Sequence, residues 1–467
     1  MNFEKILINN EQVQHLHSQT LEVLDKKGIL FEHEGAIEIF KKHGFRVDNN
    51  VVFFSGEQVE AAIRQAPEIF EWETETGSVQ VNRKEQSLLG PSAGPPYIFD
   101  KKAVRKSTLD DYIKIAKIVE TSDVLTFTHL LLADTEDIRS EDRPYVQLAT
   151  SLKYISKPIN ITSMQTAEES AFDVARNQIQ MVKRFYGKTG NVVVGGACPT
   201  SPLAYGETDV NVLLGYLAEN QPVMIMSCSL PVLTSPASLA GTIIQNNAEI
   251  LAGIVLTQLV KPGIPVIYAN TSSSTNLRNV TLALGAPETA LITVATAALA
   301  KYYELPYRSG GCLSDALDVD YQAGMESAYC SSTAIYSDVD VMQFACGLMG
   351  SFNITSVEKY IVDEQNLRFA LRVKEGINIR EETSYINEIL KVEHRGNYLS
   401  GRTPKEYKRE HLAMDVFNKV DYNTWKEKNG KTIFENAAER VEERVENYVQ
   451  RDLAKAQIEI LTPYLKV

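Results

Sequence analysis

Residues 192–228 read VVVGGACPTSPLAYGETDVNVLLGYLAENQPVMIMSC. This stretch opens with the apolar, β-branched run Val192–Cys198 and closes with a second run, Pro222–Cys228, and the residues between them have helical spacing. Near-continuous apolar strands that alternate with helices are typical of a parallel sheet covered on both faces. The stretch therefore predicts one strand–helix–strand unit of an α/β protein.

The same unit recurs through the middle of the chain. Eight apolar runs, each ending in small or polar residues, are present: Ser87–Gly90, Val124–Leu132, Pro158–Met164, Val192–Cys198, Pro222–Cys228, Pro265–Ala269, Pro306–Cys312 and Val339–Cys346. Eight such units match a closed (β/α)8 TIM barrel in number and size. We therefore predict a barrel over residues 86–375, an α-rich N-terminal region over 1–85 and a C-terminal helical extension over 376–467.

Local signals place several helices and one hairpin. Ser55 with Gln58 and Thr108 with Asp111 form capping patterns, and residues 72–81 alternate as a hairpin would. A proline at the first helical position predicts that helices open at Ser235-Pro236 and at Ala286-Pro287. In the extension, a helix is expected over Glu435–Ile460, packed on the barrel or on another subunit.

Composition excludes several classes of protein. The 467 residues carry 47 Lys and Arg against 60 Asp and Glu, a net charge of −13, which disfavours nucleic acid as the main ligand. Five cysteines form no disulfide framework and indicate a reducing cytosol. Met1–Lys5 begins no signal peptide, and the apolar stretch Ala248–Val260 is too short to span a bilayer. We expect a cytoplasmic protein without a membrane partner.

The predicted strand ends, where barrel active sites lie, have few acid–base groups. None carries a lysine, which argues against a Schiff-base aldolase, and His129 is the only histidine in the barrel. No close carboxylate pair recurs there, and no phosphate-binding glycine motif follows a strand. Such a site suits a reaction whose leaving group needs no proton, such as methyl transfer from a quaternary ammonium.

Cysteines at the strand ends leave a second chemistry open. Cys198, Cys228, Cys312 and Cys346 all fall there, and converging thiolates could hold a zinc ion that activates a thiol for methyl transfer. Small apolar cysteines are nevertheless common in buried strands. Because no Cys-x-x-Cys motif is present, we favour the structural interpretation and expect no metal site.

The region between the seventh and eighth runs resembles the trimethylamine:corrinoid methyltransferase family. The resemblance rests on Gly285-Ala286-Pro287-Glu288, Arg308-Ser309-Gly310-Gly311, Gln322-Ala323-Gly324-Met325-Glu326 and Ala345-Cys346-Gly347, in that order. It extends over nearly the full length, including Gly90-Pro91. Ordinary residues occupy the 311–318 turn, where members that act on trimethylamine carry pyrrolysine, so the chain resembles the non-pyrrolysine branch.

The resemblance implies a specific reaction. Members of that branch demethylate quaternary amines such as glycine betaine, proline betaine, carnitine or γ-butyrobetaine. They transfer the methyl group to Co(I) of a separate corrinoid protein, so no tightly bound cofactor is expected in this chain. The expected partners are the small-molecule amine, the cognate corrinoid protein and further copies of the chain in a homo-oligomer. The alternatives are the zinc-thiolate methyltransferase, with Cys198, Cys228 and Cys312, and a methylated-amine binding protein without turnover.

Roles for individual residues follow as hypotheses. Arg308 would bind the substrate carboxylate, and its alternative is an ion pair at the barrel rim. Tyr97 and Phe344 would form walls around the cation, and the alternative for both is core packing, which is favoured for Phe344. Asp315 is the candidate catalytic carboxylate near the ammonium, but it could also cap a helix. The remaining candidates for substrate binding are Gln165, Tyr205 and Asn270.

Overall fold

All eight predicted strands are present, and they follow one another in chain order. The computed structural model describes residues 7–81, 87–379, 385–399 and 401–465. The strands are β1 (Leu88–Leu89), β2 (Thr128–His129), β3 (Ile159–Ile161), β4 (Val193–Ala197), β5 (Val223–Ser227), β6 (Val266–Asn270), β7 (Tyr307–Gly310) and β8 (Val341–Gln343). Each strand from β2 to β7 pairs in parallel with the next, and β8 pairs in parallel with β1.

Hydrogen bonds between the first strand and the segment entering the second close the sheet. The backbone N–H of Thr126 donates to the carbonyl of Leu89 at 2.8 Å, and the N–H of Leu89 donates to the Thr126 hydroxyl at 2.7 Å. These bonds satisfy the edge that an open sheet would leave unpaired. The predicted (β/α)8 barrel is thereby confirmed.

Eight helices follow the eight strands and cover the barrel. They are α1 (Leu109–Glu120), α2 (Arg143–Tyr154), α3 (Ala171–Tyr186), α4 (Glu207–Ala218), α5 (Leu239–Val260), α6 (Pro287–Tyr302), α7 (Tyr321–Tyr336) and α8 (Val357–Glu375). Thr108 caps α1 with Asp111, and α6 opens at Pro287, both as predicted. The start of α5 was predicted three residues too early, because the side chain of Ser238 is the cap.

Helix α5 is the single described helix that is long and apolar enough to cross a bilayer. Of its most apolar 18-residue stretch, 78% is buried inside the protein. It lies between the barrel wall and the N-terminal helix Asn10–Lys26. Its apolar composition is therefore that of a core helix.

The lower barrel is filled by alternate strand residues and by a hairpin from the N-terminal region. Val194, Met224 and Ile267 point inward and share one apolar cluster with Trp72. Trp72 lies in the hairpin Phe70–Glu73 and Ser78–Val81, which was predicted, and its ring centroid is 5.5 Å from that of Phe127. The hairpin closes the end of the barrel opposite the site described below.

The N-terminal region joins the barrel through a small mixed sheet. Its helices are Asn10–Lys26, Glu34–Lys42 and Gly56–Ile63, and its other strands are Ile29–Phe31, Arg46–Asp48 and Val51–Phe53. Strand Ile29–Phe31 pairs in parallel with Ala204–Tyr205, from the loop after β4. Since one hydrophobic core runs through both parts, the division at residue 85 stays a prediction.

The C-terminal extension contains two main helices where one was predicted. These are Ile433–Glu446, which packs on α1 and α8, and Lys455–Leu461, which packs on α3. Between them the guanidinium of Arg451 donates to the carbonyls of Leu152 and Ile155. These hydrogen bonds to the C-terminal end of α2 take the place of a continuous helix in this segment. The expectation of one helix over 435–460 was therefore wrong. Short helices occur at Ile386–Ile389, Lys405–Glu410 and Tyr422–Glu427.

Two small sheets border the carboxyl ends of the barrel strands. One joins Tyr97–Asp100 and Ala103–Lys106 to Leu348–Met349 and Ile354–Thr355, and the other is the hairpin Ser274–Asn276 with Thr281–Ala283. The loops after β1, β6 and β8 contribute them. They form the rim of the barrel mouth.

Candidate active site

A buried arginine lies inside the barrel near the carboxyl ends of the strands. Arg308 on β7 is aligned with Val341 of β8, an interior residue, and its side chain is 1% exposed. Its Nη1 donates to the Asn270 carbonyl at 2.9 Å and to the Thr271 hydroxyl at 2.8 Å. Nε and Nη2 both donate to Oε1 of Gln343. Neutral acceptors therefore hold the guanidinium from two sides.

No carboxylate of the described residues forms an ion pair with Arg308. Burial lowers the pKa of its guanidinium to about 10, which still leaves it charged at neutral pH. A buried charge is stable only when it is paired or well hydrogen-bonded, and here a net positive charge remains. The mouth thus contains a positive charge that an anionic group of a ligand can neutralise.

An aromatic pair lies beside this cation. The Phe344 ring centroid is 5.3 Å from Arg308 Cζ and 4.9 Å from the Phe352 ring centroid. Phe344 has a φ of +58° and Phe352 a φ of +74°. Bulky residues rarely adopt this left-handed conformation, and such strain concentrates at functional sites. The loop after β8 therefore holds two aromatic rings in a costly backbone beside Arg308, and Phe344 is at the same time buried in an apolar cluster with Leu284, Leu313 and Leu348.

The single barrel histidine is held neutral. The N–H of Leu131 donates to Nδ1 of His129 at 2.9 Å, so Nε2 carries the proton and faces the Thr162 hydroxyl at 3.2 Å. Burial, together with the charge of Arg308, lowers the pKa of His129 to about 3. Both ring nitrogens are engaged, so His129 has a structural role here.

Two of the strand-end cysteines share the mouth with Arg308. Cys198 is exposed there and Cys228 is half-buried. Desolvation by the surrounding protein raises the pKa of both thiols, to about 12 for Cys198, where Cys228 adds to the effect, and to about 11 for Cys228, where Glu249 adds to it. Both thiols are therefore protonated at neutral pH.

Cys312 and Cys346 lie elsewhere. Both are fully buried, and burial raises the pKa of each well above its ordinary value, with Asp363 and Lys359 of α8 as their charged neighbours. They belong to the layer between strands and helices, whereas Cys198 and Cys228 line the mouth. Cys312 thus does not join the other two thiols of the zinc alternative, and the described residues contain no group of three metal-ligating side chains.

The carboxylate of Asp315 forms hydrogen bonds with residues of the surrounding loops. Its carboxylate accepts from the N–H groups of Leu284 and Gly285, both at 3.0 Å, and from the Ser351 hydroxyl at 2.6 Å. These bonds join the loops after β6, β7 and β8. A contact of Asp315 with a substrate ammonium stays a prediction.

The sequence motifs behind the family resemblance meet at Glu326. Its carboxylate accepts from Ser314 Oγ at 2.9 Å, Asp315 N at 2.8 Å and Gln322 Nε2 at 2.8 Å. A Cβ on Gly285 would lie 2.4 Å from the Glu326 carboxyl carbon. The glycine motif before α6 and the glutamate motif of α7 therefore fit together and support the loop that carries Asp315.

Two further candidates lie at the rim. Tyr97 is 39% exposed in the sheet beside the mouth. Gln165 is exposed after β3, accepts from the Thr208 hydroxyl at 3.4 Å, and lines a cavity of about 250 Å³ with Thr162. Among the described residues, no hydrogen bond or ring contact joins either side chain to Arg308 or Phe344, so their substrate contacts stay predictions.

The remaining two candidates point away from the mouth. The Tyr205 ring stacks on Phe31 at 4.9 Å, and its hydroxyl donates to the carbonyl of Glu249 at 2.8 Å. Pairing of its strand with the N-terminal region turns Tyr205 away from the mouth and into the core, which does not support its prediction as a substrate-binding residue. Asn270 offers its carbonyl to Arg308, while its side-chain Oδ1 accepts from Ser272 N. Its amide thus supports the loop after β6.

Gln343 and Glu249 were missed at the sequence level. Gln343 is a polar residue within the apolar run Val339–Cys346, and that interruption was the available signal. The fully buried Glu249 accepts from the hydroxyls of Ser201 and Ser227, and thereby holds the loops that follow Cys198 and carry Cys228. The only sequence signal for this role of Glu249 was its position in an apolar helix.

The fold and this site define a barrel enzyme whose mouth offers a buried cation and aromatic rings, and in the part of the chain that the structure describes we find no acid–base pair there. Residues 4–466 match the family described as "Trimethylamine methyltransferase (MTTB)". The chain therefore belongs to the trimethylamine methyltransferase family, as the sequence motifs indicated, and it is a methyltransferase.

Three relatives are similar over almost the whole chain. The proline betaine:corrinoid methyltransferase of Eubacterium limosum is 38% identical, over 98% of this chain and 96% of that protein. The L-carnitine:corrinoid methyltransferase of the same organism is 36% identical, over 98% and 97%. The glycine betaine methyltransferase of Desulfitobacterium hafniense (strain Y51) is 32% identical, over 95% and 93%.

A solved structure supports the fold. The monomethylamine methyltransferase (MtmB) of Methanosarcina barkeri superposes with a TM-score of 0.57, over 97% of this chain and 90% of that one, at 10% identity. At this identity the likeness concerns the fold alone. It agrees with the closed barrel described above.

Proposed function

We propose that this enzyme demethylates a quaternary amine that carries a carboxylate, and that it transfers the methyl group to the corrinoid of a separate protein. The single observation that carries the choice of a betaine is the buried charge of Arg308, which no carboxylate of the described residues neutralises. The named activities of the relatives, on proline betaine, L-carnitine and glycine betaine, support the same substrate class.

Charge balance favours a zwitterion over a simple cation. A betaine brings one carboxylate and one quaternary ammonium, so its net charge is zero. Gln343, Asn270 and Thr271 accept from four of the five guanidinium N–H groups, which leaves one N–H on Nη2 available. The substrate carboxylate would neutralise Arg308 through this N–H. A cation without a carboxylate would instead be repelled by Arg308 at short range.

The aromatic pair would receive the other end of the substrate. A quaternary ammonium has no N–H to donate, so it is recognised by ring faces. Phe344 lies close enough to Arg308 for one short molecule to touch both. Phe352 would complete this wall, with Tyr97 as a further ring at the rim. Aromatic walls without a polar group would suit a bulkier, less polar betaine.

The reaction fits a mouth that has few acid–base groups. The methyl group is transferred directly from nitrogen to the acceptor, formally as CH₃⁺. The electron pair of the broken C–N bond stays on nitrogen, so the nitrogen of the departing amine is neutral. The electron pair for the new bond comes from Co(I) of the corrinoid, which acts as co-substrate. Because the pKa values of His129, Cys198 and Cys228 keep these groups neutral, this chain's part is to bind, neutralise and orient the substrate.

The other expectations become parts of this proposal. Asp315 would act on the ammonium from a distance, since its oxygens are already hydrogen-bonded, and Gln165 would contact the substrate from the rim. The enzyme would work in the cytoplasm with its corrinoid protein, as a homo-oligomer without a tightly bound cofactor. The placement of Cys312 gives no support to the three-thiolate alternative.

Spectroscopy of the corrinoid tests the reaction. The purified enzyme is incubated with Co(I) cobalamin or a corrinoid protein and with proline betaine, carnitine, γ-butyrobetaine or glycine betaine in turn. We expect conversion of the Co(I) spectrum to that of methyl-Co(III) with at least one of them. Calorimetric binding of a betaine without any spectral change would instead identify a binding protein and overturn the proposal.

Arg308→Ala tests the recognition of the carboxylate. We expect the dissociation constant for the betaine to rise by about 30-fold or more, and that for choline, which lacks the carboxylate, to change by less than about threefold. Arg368→Ala, which removes a peripheral arginine paired with Asp123, is the matched control. Equal losses for the two ligands would assign Arg308 a structural role.

A further inference from the structure

The loops that follow β5 and β6 expose an apolar surface beside the mouth. We define the rim patch as four apolar side chains of these loops: Val232, Leu233, Leu277 and Val280. Their exposed fractions are 52%, 40%, 54% and 65%. The Thr275 hydroxyl donates to the carbonyl of Pro231 at 2.8 Å, which joins the two loops next to the first valine. The four side chains therefore belong to one surface.

The backbone exposes two of these side chains at a conformational cost. Val232 has a φ of +70° and Val280 a φ of +54°. In the part of the chain that the structure describes, they are the only β-branched residues with a positive φ. This conformation is an outlier for a β-branched residue, and such outliers concentrate at functional sites. An ordinary surface turn would place glycine or asparagine at these positions.

Hydrogen bonds fix the turn that carries the first half of the rim patch. The carbonyl of Leu230 accepts from the N–H groups of Thr234 at 2.8 Å and Ser235 at 3.0 Å. The Gln245 side chain on α5 donates to the carbonyl of Thr234 at 2.7 Å. A preformed turn loses little conformational freedom when a partner binds to it. The patch is thus ready for contact without rearrangement of this loop.

The rim patch lies on a side of the mouth that is almost free of charge. Residues 229–238 contain no charged side chain, and residues 271–285 contain one, Arg278. The loop after β2, by contrast, carries five acidic residues and one arginine over residues 134–142. Depletion of charge around exposed apolar groups is typical of a surface that contacts another molecule.

Both loops of the rim patch begin at the candidate active site. The loop after β6 begins at Thr271, whose hydroxyl accepts from Nη1 of Arg308 at 2.8 Å. The loop after β5 begins at Cys228, whose Sγ lies 3.8 Å from the carbonyl oxygen of Thr271. A molecule bound to the patch is therefore held beside the opening above Arg308.

The proposed reaction determines which partner can bind there. Side chains fill the interior of an eight-stranded barrel, so a corrin ring cannot enter it. Cobalt must approach the methyl group from outside the mouth, and the ring and the protein that carries it then rest on the rim. A second copy of this chain in the same place would exclude the methyl acceptor.

We propose that the rim patch is the docking surface for the corrinoid protein. The proposal rests on the proposed function, because only transfer to a protein-bound corrinoid requires such a partner. The small size of the patch suits a transient complex, which buries less than about 1,200 Å². A carrier that passes its methyl group to a further acceptor must leave after each turnover, so a small interface is an advantage.

Two methyl acceptors separate docking from the reaction itself. Free Co(I) cobalamin needs no protein contact, whereas a corrinoid protein loaded with Co(I) cobalamin does. In the double variant Val232→Asp, Val280→Asp we expect kcat/KM for the corrinoid protein to fall by about 30-fold or more, because charges replace apolar contacts at the interface. The rate with free cobalamin should change by less than about twofold. Aspartate adopts the left-handed backbone more readily than valine, so the variant should fold.

Val449→Asp is the matched control. This valine is 83% exposed, and the hydroxyl of the preceding Tyr448 donates to the carbonyl of Tyr154 at the end of α2. It therefore lies at the end of the barrel opposite the mouth, and its variant should keep both rates. Calorimetry with the corrinoid protein should give a dissociation constant about 30-fold higher than that of the wild type in the double variant alone.

Three results would contradict docking at the rim patch. Equal losses with the two acceptors would assign the valines to substrate binding or folding. An unchanged kcat/KM for the corrinoid protein in the double variant, with an active wild type, would remove the docking proposal and leave the proposed function in place. A wild type that methylates neither acceptor would overturn the proposed function and the docking proposal with it.

Discussion

Oε1 of Gln343 accepts hydrogen bonds from two nitrogens of Arg308, with a distance of 3.1 Å to Nε. The two residues lie on neighbouring strands, β7 and β8, and both are buried. A neutral amide fixes the direction of the guanidinium but leaves its charge in place. The pair therefore keeps the mouth positively charged and oriented before any ligand arrives.

Gln343→Glu is expected to abolish the preference for carboxylates. The new side chain is nearly the same size, but its negative charge would pair with Arg308 and compete with the substrate carboxylate. We expect the KM for the betaine to rise by about 30-fold or more, and the affinity for choline to be kept or improved. Steady-state kinetics and calorimetry measure both. Gln65→Glu, on the exposed N-terminal region, controls for the added charge, and an unchanged betaine KM in the Gln343 variant would refute the prediction.

Phe344 is expected to show an inverted order of stability between alanine and glycine variants. At a φ of +58° glycine is unstrained whereas alanine is not, so Phe344→Gly should be more stable than Phe344→Ala by about 1 kcal/mol. Both should bind the betaine about tenfold more weakly, because the ring face is lost. Urea denaturation gives the stabilities. Phe99, buried in an extended strand, should show the ordinary order, with alanine more stable, and the same order at Phe344 would count against backbone strain there.

Gly285 and Glu326 are expected to be energetically coupled. A Cβ at residue 285 would collide with a carboxylate that three hydrogen bonds hold in place, so Gly285→Ala should cost about 1–3 kcal/mol of unfolding free energy. Because Glu326→Ala makes room for the methyl group, the double variant should be more stable than the sum of the single changes by about 1 kcal/mol or more.

Gly324 provides the matched control for that cycle. It lies on α7 with Glu326, and an added Cβ there would meet no atom within 4 Å. Gly324→Ala should therefore be neutral or stabilising by up to about 1 kcal/mol. Strict additivity of Gly285→Ala and Glu326→Ala would contradict the steric explanation.

His129 is expected to make the fold sensitive to acid. Its pKa is about 3 in the folded protein and 6.5 when unperturbed, so the unfolded chain binds more protons between these values. Stability then falls as the pH drops from 6.5 towards 3, by about 1.4 kcal/mol for each pH unit. In His129→Asn this contribution is absent, so urea denaturation between pH 7.5 and 4 should give a flatter profile. His15→Gln, at an exposed histidine, should follow the wild type, and a parallel profile for His129→Asn would disprove the assignment.

The positions of Arg308 and Phe344 at the mouth could be predicted, because strand ends follow directly from the apolar runs. Their partners could not. Gln343 and Phe352 reach Arg308 and Phe344 through the register of β8 and the left-handed turn after it, and neither feature leaves a periodic signal.

Tyr205 and the cysteines show the same limit of prediction from sequence. Tyr205 follows a strand end as the other candidates do, but its pairing with a segment about 170 residues earlier in the chain turns it into the core. Cys198 and Cys312 both follow strands, yet one lines the mouth and the other faces the helices. Residues at equivalent positions in the sequence thus have opposite surroundings.

The amino-acid sequence sufficed to establish the barrel, its eight units and the family, because apolar periodicity and motif order are local properties that survive without coordinates. The uncompensated charge of Arg308, the neutral state of His129 and the separation of the cysteines depend on which side chains converge across the closed sheet. Closure brings together residues from strands far apart in the chain. Burial among those neighbours then sets each charge, so the chemistry of the mouth exists only in the folded protein.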